Sequence, residues 1–122
     1  MSVIATQVQY ILEELFPANP HRRVFNEYYV NFKGTKLFFD FFIKELGCFV
    51  ECQGGQHYKF VKHFHGDGES FKSQKFRDNL KIEYVQFNNK YLIRLYDYEK
   101  ITDEIILTKI KKAFDSEYNF CN

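Results

Sequence analysis

A chain of 122 residues is the size of one domain, which leaves room for one core and one site. Hydrophobic residues make up 45% and aromatics 20%, with 15 Phe, 9 Tyr and no Trp, so disorder is excluded and the core has to be built largely from rings packed on aliphatic side chains. The 17 Lys and Arg nearly cancel the 16 Asp and Glu, and a formal charge of +1 excludes a globally basic surface; any patch that meets a polyanion must be local.

The chain opens with a helical pattern from about Ser2 to Phe16, in which Val8, Ile11, Leu12 and Leu15 recur at helical spacing until Pro17 and Pro20 stop it. Arg23 to Phe32 and Thr35 to Ile43 are rich in Phe, Tyr and Val, and Lys33-Gly34 between them suits the turn of an antiparallel hairpin. Asp40 sits among Phe38, Phe39, Phe41 and Phe42 without clean alternation, which predicts a central strand covered on both faces. Gly47 marks off a third strand, about Cys48 to Gln53, that Gly54-Gly55 ends. The stretch from Gln56 to Gly68 carries His57, His63 and His65 and reads as a loop of a length that is often functional. From Glu69 to about Phe87, Phe76, Leu80, Tyr84 and Phe87 mark an amphipathic helix with Lys72, Lys75, Arg77, Asp78 and Lys81 on other faces, closed by Asn88-Asn89. Tyr91 to Tyr96 is a fourth strand, and Ile101 to Phe114 a closing helix with Ile105, Ile106, Ile110 and Ala113 in phase. The predicted order is αβββαβα in a single domain over residues 1–122, with 115–122 a tail prone to fraying.

The chemistry concentrates on the second and third strands. Glu51 and Gln53 are two apart, so a strand period of two puts both on one face with Phe49. A hairpin-like return between the strands brings Asp40 toward Glu51. Two carboxylates among Phe side chains are costly to bury unless each is paired or holds a cation. Carboxylate oxygens suit a hard ion such as magnesium, which takes one or two of them and fills its shell with water and substrate phosphate. An Arg, a Lys or a backbone amide would satisfy a buried acid equally well. Cys48 and Cys52, four apart on the face opposite Glu51, read as core filling rather than zinc ligands.

The run Phe39-Asp40-Phe41-Phe42-Ile43, followed by Val50-Glu51-Cys52-Gln53-Gly54-Gly55-Gln56-His57-Tyr58, resembles the core of the PD-(D/E)XK nuclease superfamily. It is closest to the branch of very-short-patch repair endonucleases and phage-encoded homing endonucleases. Arg77-Asp78-Asn79-Leu80-Lys81 and Tyr91-Leu92-Ile93-Arg94-Leu95 also match that branch, so the resemblance covers roughly Gln7 to Tyr98. It implies a restriction-endonuclease-like α/β (α+β) fold, a central mixed four-stranded sheet flanked by helices. It also implies that Asp40 and Glu51 ligate Mg2+ or Mn2+ and that the residue two after Glu51 positions the attacking water. Gln53 stands where the family has Lys; it supplies neither a cation nor a base, though its amide can orient a water. His57 is then the leading proton acceptor, since imidazole titrates near neutral pH and the related endonucleases use a histidine after the same strand. Relatives also carry a glutamate early in the first helix. Here Gln7 takes that place, or Glu14 approaches from a shifted helix, or the helix gives no ligand.

The implied activity is hydrolysis of a DNA phosphodiester, with Lys59, Lys62, Lys72, Lys75, Arg77 and Lys81 as the local basic set for the backbone and Asp78 as a further site residue or a partner for a neighbouring Lys. So small a domain favours a nicking or structure-selective enzyme, acting as a homodimer or in a larger nuclease assembly, of phage or mobile-element type. A nucleic-acid-binding module that has lost activity is the competing expectation, and a thiol enzyme using Cys52 a third. An odd cysteine count, no apolar run long enough for a bilayer and no signal-like N-terminus predict a cytoplasmic protein without a membrane partner, in the host cytoplasm if phage-encoded.

Overall fold

The computed structural model describes residues 1–54 and 69–122, with side chains in the second segment from residue 72 onward. Helix α1 (Val3–Leu15) starts where the Ser2 hydroxyl accepts the Ala5 N–H at 3.1 Å, satisfying one of the helix's orphan donors, and it ends just before Pro17. Strands β1 (Val24–Phe32) and β2 (Thr35–Ile43) form the expected hairpin. Lys33 and Gly34 both take left-handed backbone, φ 51° and 78°, which is the two-residue turn whose twist matches the flanking strands. A 3-10 turn (Lys44–Leu46) closes on Gly47 at φ 59° and delivers β3 (Cys48–Gln53). Helix α2 (Glu69–Phe87) ends at Asn88-Asn89, where Asn89 is left-handed and the Lys90 N–H reaches back to the Val85 carbonyl at 2.8 Å. Strand β4 (Tyr91–Tyr96), helix α3 (Asp103–Asp115) and strand β5 (Phe120–Cys121) complete the chain. α3 is capped by Thr102 and has Asp103 and Glu104 in its first turn, charges that suit a helix N-terminus.

The strands lie in the order β1-β2-β3-β4-β5, the first two pairings antiparallel and the last two parallel. A mixed sheet flanked by helices is therefore present, with five strands among the described residues rather than the four expected. The extra strand lies within 115–122, the stretch expected to be a tail prone to fraying. Phe120 and Cys121 pair with Leu92 and Ile93, and the Tyr96 hydroxyl donates to Asn122 Oδ1. Two residues are too few to leave a periodic signal in sequence. None of the described helices is long and apolar enough to cross a membrane.

The sheet divides two cores. On one face, Val8 and Leu12 of α1 and Ile106 and Ile110 of α3 pack on Phe41, Ile43, Val50, Cys52, Ile93 and Leu95. On the other, Leu80 and Val85 of α2 cover a set of rings in which Phe49 sits 4.2 Å from Phe39 and 4.4 Å from Phe42 between centroids. β2 is covered on both faces only in its second half, since Lys36 is exposed and Phe38 is 36% exposed. Helix α2 also lies rotated from the expected orientation. Phe76 and Phe87 are 58% and 77% exposed, while Asp78 and Lys81 are buried.

Every β1–β2 pair keeps one register, yet the pair that would join Glu27 to Asp40 is missing. At that point Glu27 adopts φ 53°, and in β2 the α2-facing positions shift from Leu37 and Phe39 to Phe42. A left-handed non-glycine residue inside a strand is strained by roughly 1 kcal/mol or more. We expect Glu27→Gly to raise stability by up to about 1 kcal/mol in urea unfolding; an unchanged or lower midpoint would show that the kink carries no strain.

Candidate active site

The strand pair opens at the acids. The β2–β3 ladder runs through Ile43–Cys48 and Phe42–Phe49 and stops at Phe41–Val50. Two residues past Val50, the Cys52 N–H donates to Asp40 Oδ2 at 2.8 Å. Asp40 thus takes the place of a main-chain acceptor at the fork, with one carboxylate oxygen committed to the sheet. Glu51 projects from β3 toward α2, on the face it shares with Phe49, and is 3% exposed.

Burying Glu51 requires partners, and two elements provide them. Lys81 Nζ on α2 lies 2.5 Å from Glu51 Oε1, and Arg94 Nε on β4 lies 3.7 Å from Oε2. The Gln53 amide donates to the same Oε2 at 3.4 Å, a long bond that confirms the shared face. Arg94 is itself anchored: its Nη2 donates to the Asp78 carbonyl at 2.9 Å and its guanidinium lies 4.8 Å above the Phe120 ring. Beyond Gln53, at the carboxyl ends of β3 and β4, a pocket of about 260 Å3 opens between α2, Tyr98 and Asn122.

Asp40 is pushed up to about 6, chiefly by burial; the Cys52 N–H opposes this, the Glu51 charge adds to it, Lys81 opposes it, and Glu27 across the hairpin adds a smaller push. Asp40 and Glu51 are therefore close enough to repel, and a divalent cation would relieve that repulsion. Two carboxylate donors on a forked strand pair fit the ligand demand of Mg2+ or Mn2+. Among the described residues no group of three or more His, Cys, Asp and Glu is placed to hold a metal. Burial also pushes up the thiols of Cys48 and Cys52, the latter further raised by Asp40 and Glu51. Both are buried in the α1/α3 core, which makes them inert packing groups rather than nucleophiles or zinc ligands.

Asp40, Glu51 and Gln53 are thus brought together, and Lys81 joins them. The sequence reading placed Lys81 with Lys72, Lys75 and Arg77 as a contact for the nucleic-acid backbone; those three are exposed, whereas Lys81 is buried against Glu51. The usable signal was the Asp78 to Lys81 spacing on one helix face beneath a strand acid that needed a cation. Asp78 is buried, with its carbonyl on Arg94. Gln7 and Glu14 are exposed on α1, across the sheet from the Glu51 face, and Glu14 lines a separate cleft with Thr102 and Asp103. His57, Lys59 and Lys62 lie outside the described residues, as do His63 and His65.

Two measurements follow from this electrostatic arrangement. A carboxyl whose folded-state pKa is raised stabilises the fold fully below its unfolded value near 4 and loses that stabilisation as pH rises through about 6. In chelator, Asp40→Asn should therefore exceed the parent in stability at pH 7.5 by on the order of 2 kcal/mol, the gap closing below pH 4; equal stability across that window would contradict the burial of a charged Asp40. Lys81→Met should cost about 3–5 kcal/mol in urea, and adding Glu51→Gln should recover much of it, because the damage is an uncompensated buried charge. A loss within about 0.5 kcal/mol, the range of a surface change, would contradict the pairing.

No family model and no solved structure matches the chain. Similarity is found to Uncharacterized protein 307L of Invertebrate iridescent virus 6, 43% identical over 56 residues that cover 46% of this chain and 28% of that protein. Similarity is also found to Uncharacterized protein 033L of Invertebrate iridescent virus 3, 36% identical over 70 residues that cover 57% of this chain and 36% of that protein. The chain is therefore similar to parts of two longer viral proteins and spans well under half the length of each.

Proposed function

We propose that the protein is a metal-dependent endonuclease that hydrolyses phosphodiester bonds in DNA, of nicking or structure-selective action and of viral, phage or mobile-element type. The observation that carries this reading is the contact of Lys81 Nζ with Glu51 Oε1 beside the fork that Asp40 and Glu51 share. A lysine from α2 thereby supplies, at the acid pair, the cation that Gln53 lacks. Asp40 and Glu51 would hold the Mg2+ or Mn2+ ion, which when bound polarises a phosphate and lowers the pKa of a coordinated water. Lys81 offers N–H donors to the charge that builds on a phosphate oxygen, in a site whose burial strengthens that interaction. Gln53 orients the water through its amide. His57 is proposed to accept the proton. Exposed Lys72, Lys75 and Arg77 along α2 hold the neighbouring backbone phosphates. A homodimer or a larger nuclease assembly is the arrangement through which so small a domain gains selectivity.

A second reading, a binding module on the same fold without activity, draws on one observation: Lys81 and Arg94 already balance the Glu51 charge without a metal. Purified protein with Mg2+ or Mn2+ and a panel of nicked, branched, mismatched and single-stranded substrates separates the two. We expect cleavage that falls at least about a hundredfold in Asp40→Asn and Glu51→Gln, and about ten- to a hundredfold in Lys81→Met per folded molecule. Binding without cleavage under either metal would overturn the enzyme in favour of the module.

A further inference from the structure

The pocket at the carboxyl ends of β3 and β4 has a composition that the acid pair does not use. Ligands of open sheets with parallel strands bind in the crevice beyond those ends. Gln53 forms the wall between this pocket and Glu51, so whatever occupies the pocket lies next to the proposed cleavage site. Among the described residues its lining carries two cations, Lys75 on the rim and Arg94 at the back, and one acid, Asp78. Arg94 is 8% exposed, and its Nε, although buried, makes no hydrogen bond among the described residues. Glu51 divides its attraction between Lys81 and Arg94, so one carboxylate faces two cations. Asn79 and Asn122 line the same space with amides that both donate and accept. At the mouth, Tyr98 is 69% exposed and its ring is held nearly parallel to Tyr96, 5.2 Å between centroids at 17°.

These features specify a ligand with an anionic group, hydrogen-bonding edges and a flat apolar face. We infer that the pocket is a nucleotide subsite for single-stranded nucleic acid: a phosphodiester group on Lys75 and Arg94, with its base stacked on Tyr98 and reached by the amides. A space of about 260 Å3 takes one unstacked nucleotide and not a duplex. The back wall is rigid, because the Arg94 carbonyl accepts from Lys109 Nζ at 2.7 Å while its guanidinium is tied to the Asp78 carbonyl. The assignment rests on the nuclease reading for the class of its ligand, and it sets the substrate: a strand at a nick, flap, branch or mismatch, where a base is free to leave its stack.

The test is fluorescence anisotropy of a labelled single-stranded oligodeoxynucleotide and of the matching duplex, in chelator so that nothing is cut. The parent protein should bind the single strand more tightly than the duplex. Tyr98→Ala should weaken that binding about five- to 150-fold, the range that base–aromatic stacking carries, and Tyr98→Phe should restore it. Lys75→Ala should weaken binding and reduce the slope of log affinity against log salt by about 0.7, the loss of one phosphate contact on a single strand. Both side chains are exposed, and a thermal melt checks that each variant is folded. Parent-like affinity in both Ala variants overturns the subsite, and cleavage dependent on Asp40 and Glu51 in the same variants would leave the nuclease reading intact. Pocket-dependent binding without cleavage by the parent leaves the subsite standing and removes the nuclease. No binding of either nucleic acid removes both.

Discussion

Glu51 is a carboxylate inside a small core, and its burial sets what the surrounding elements must supply. Removing an ion from water costs several kcal/mol unless a counter-charge is close and well oriented. β3 carries the acid, α2 carries Lys81 to one of its oxygens, and β4 carries Arg94 toward the other. The β3–α2–β4 crossover is thereby fixed by charge as well as by apolar contact. α2 turns Asp78 and Lys81 inward, and Phe76 and Phe87 are left facing solvent as a consequence. The Arg94 guanidinium then ties back to α2 through the Asp78 carbonyl. The 19-residue helix α2 thus brings both charge and apolar side chains, Lys81 with Leu80 and Val85, to the sheet.

The same acid gives the hairpin its irregularity a purpose. β2 and β3 part at the point where the Cys52 N–H donates to the Asp40 carboxylate in place of a main-chain acceptor, and β1 meets that point with Glu27 in a left-handed conformation. Like charges facing across a ladder destabilise it, and here burial and two neighbouring carboxylates together raise Asp40 to about 6. Backbone strain, a desolvated acid and mutual repulsion accumulate over a few residues, while the ring stack around Phe49 and the α1/α3 core supply the compensating stability. A stable scaffold thus bears a locally unfavourable cluster of acids.

Much of this was legible in the residues. Lys33-Gly34 announced its turn, Gly47 and Asn88-Asn89 their boundaries, and the period of two in β3 placed Glu51 and Gln53 on one face and Cys48 and Cys52 on the other. Apolar periodicity placed only part of α2: Leu80 and Tyr84 pack on the sheet as expected, whereas Phe76 and Phe87 face solvent and Asp78 and Lys81 turn inward. Pattern was also silent on β5, two residues long, whose place depends on a free parallel edge of β4. Glu27 left no trace either, since nothing in the sequence marks a glutamate that will adopt positive φ inside a strand. Lys81 carries no mark in sequence that separates it from the surface lysines of α2 except its partner, Glu51.

The central claim is that Asp40 and Glu51 form a cation site completed by Lys81. The most direct measurement is a calorimetric titration of Mn2+ into the metal-free protein at neutral pH, set beside Asp40→Asn. The account predicts one site per chain in the parent, absent in Asp40→Asn. Binding of equal strength in both proteins, or none in the parent at millimolar metal, would contradict it.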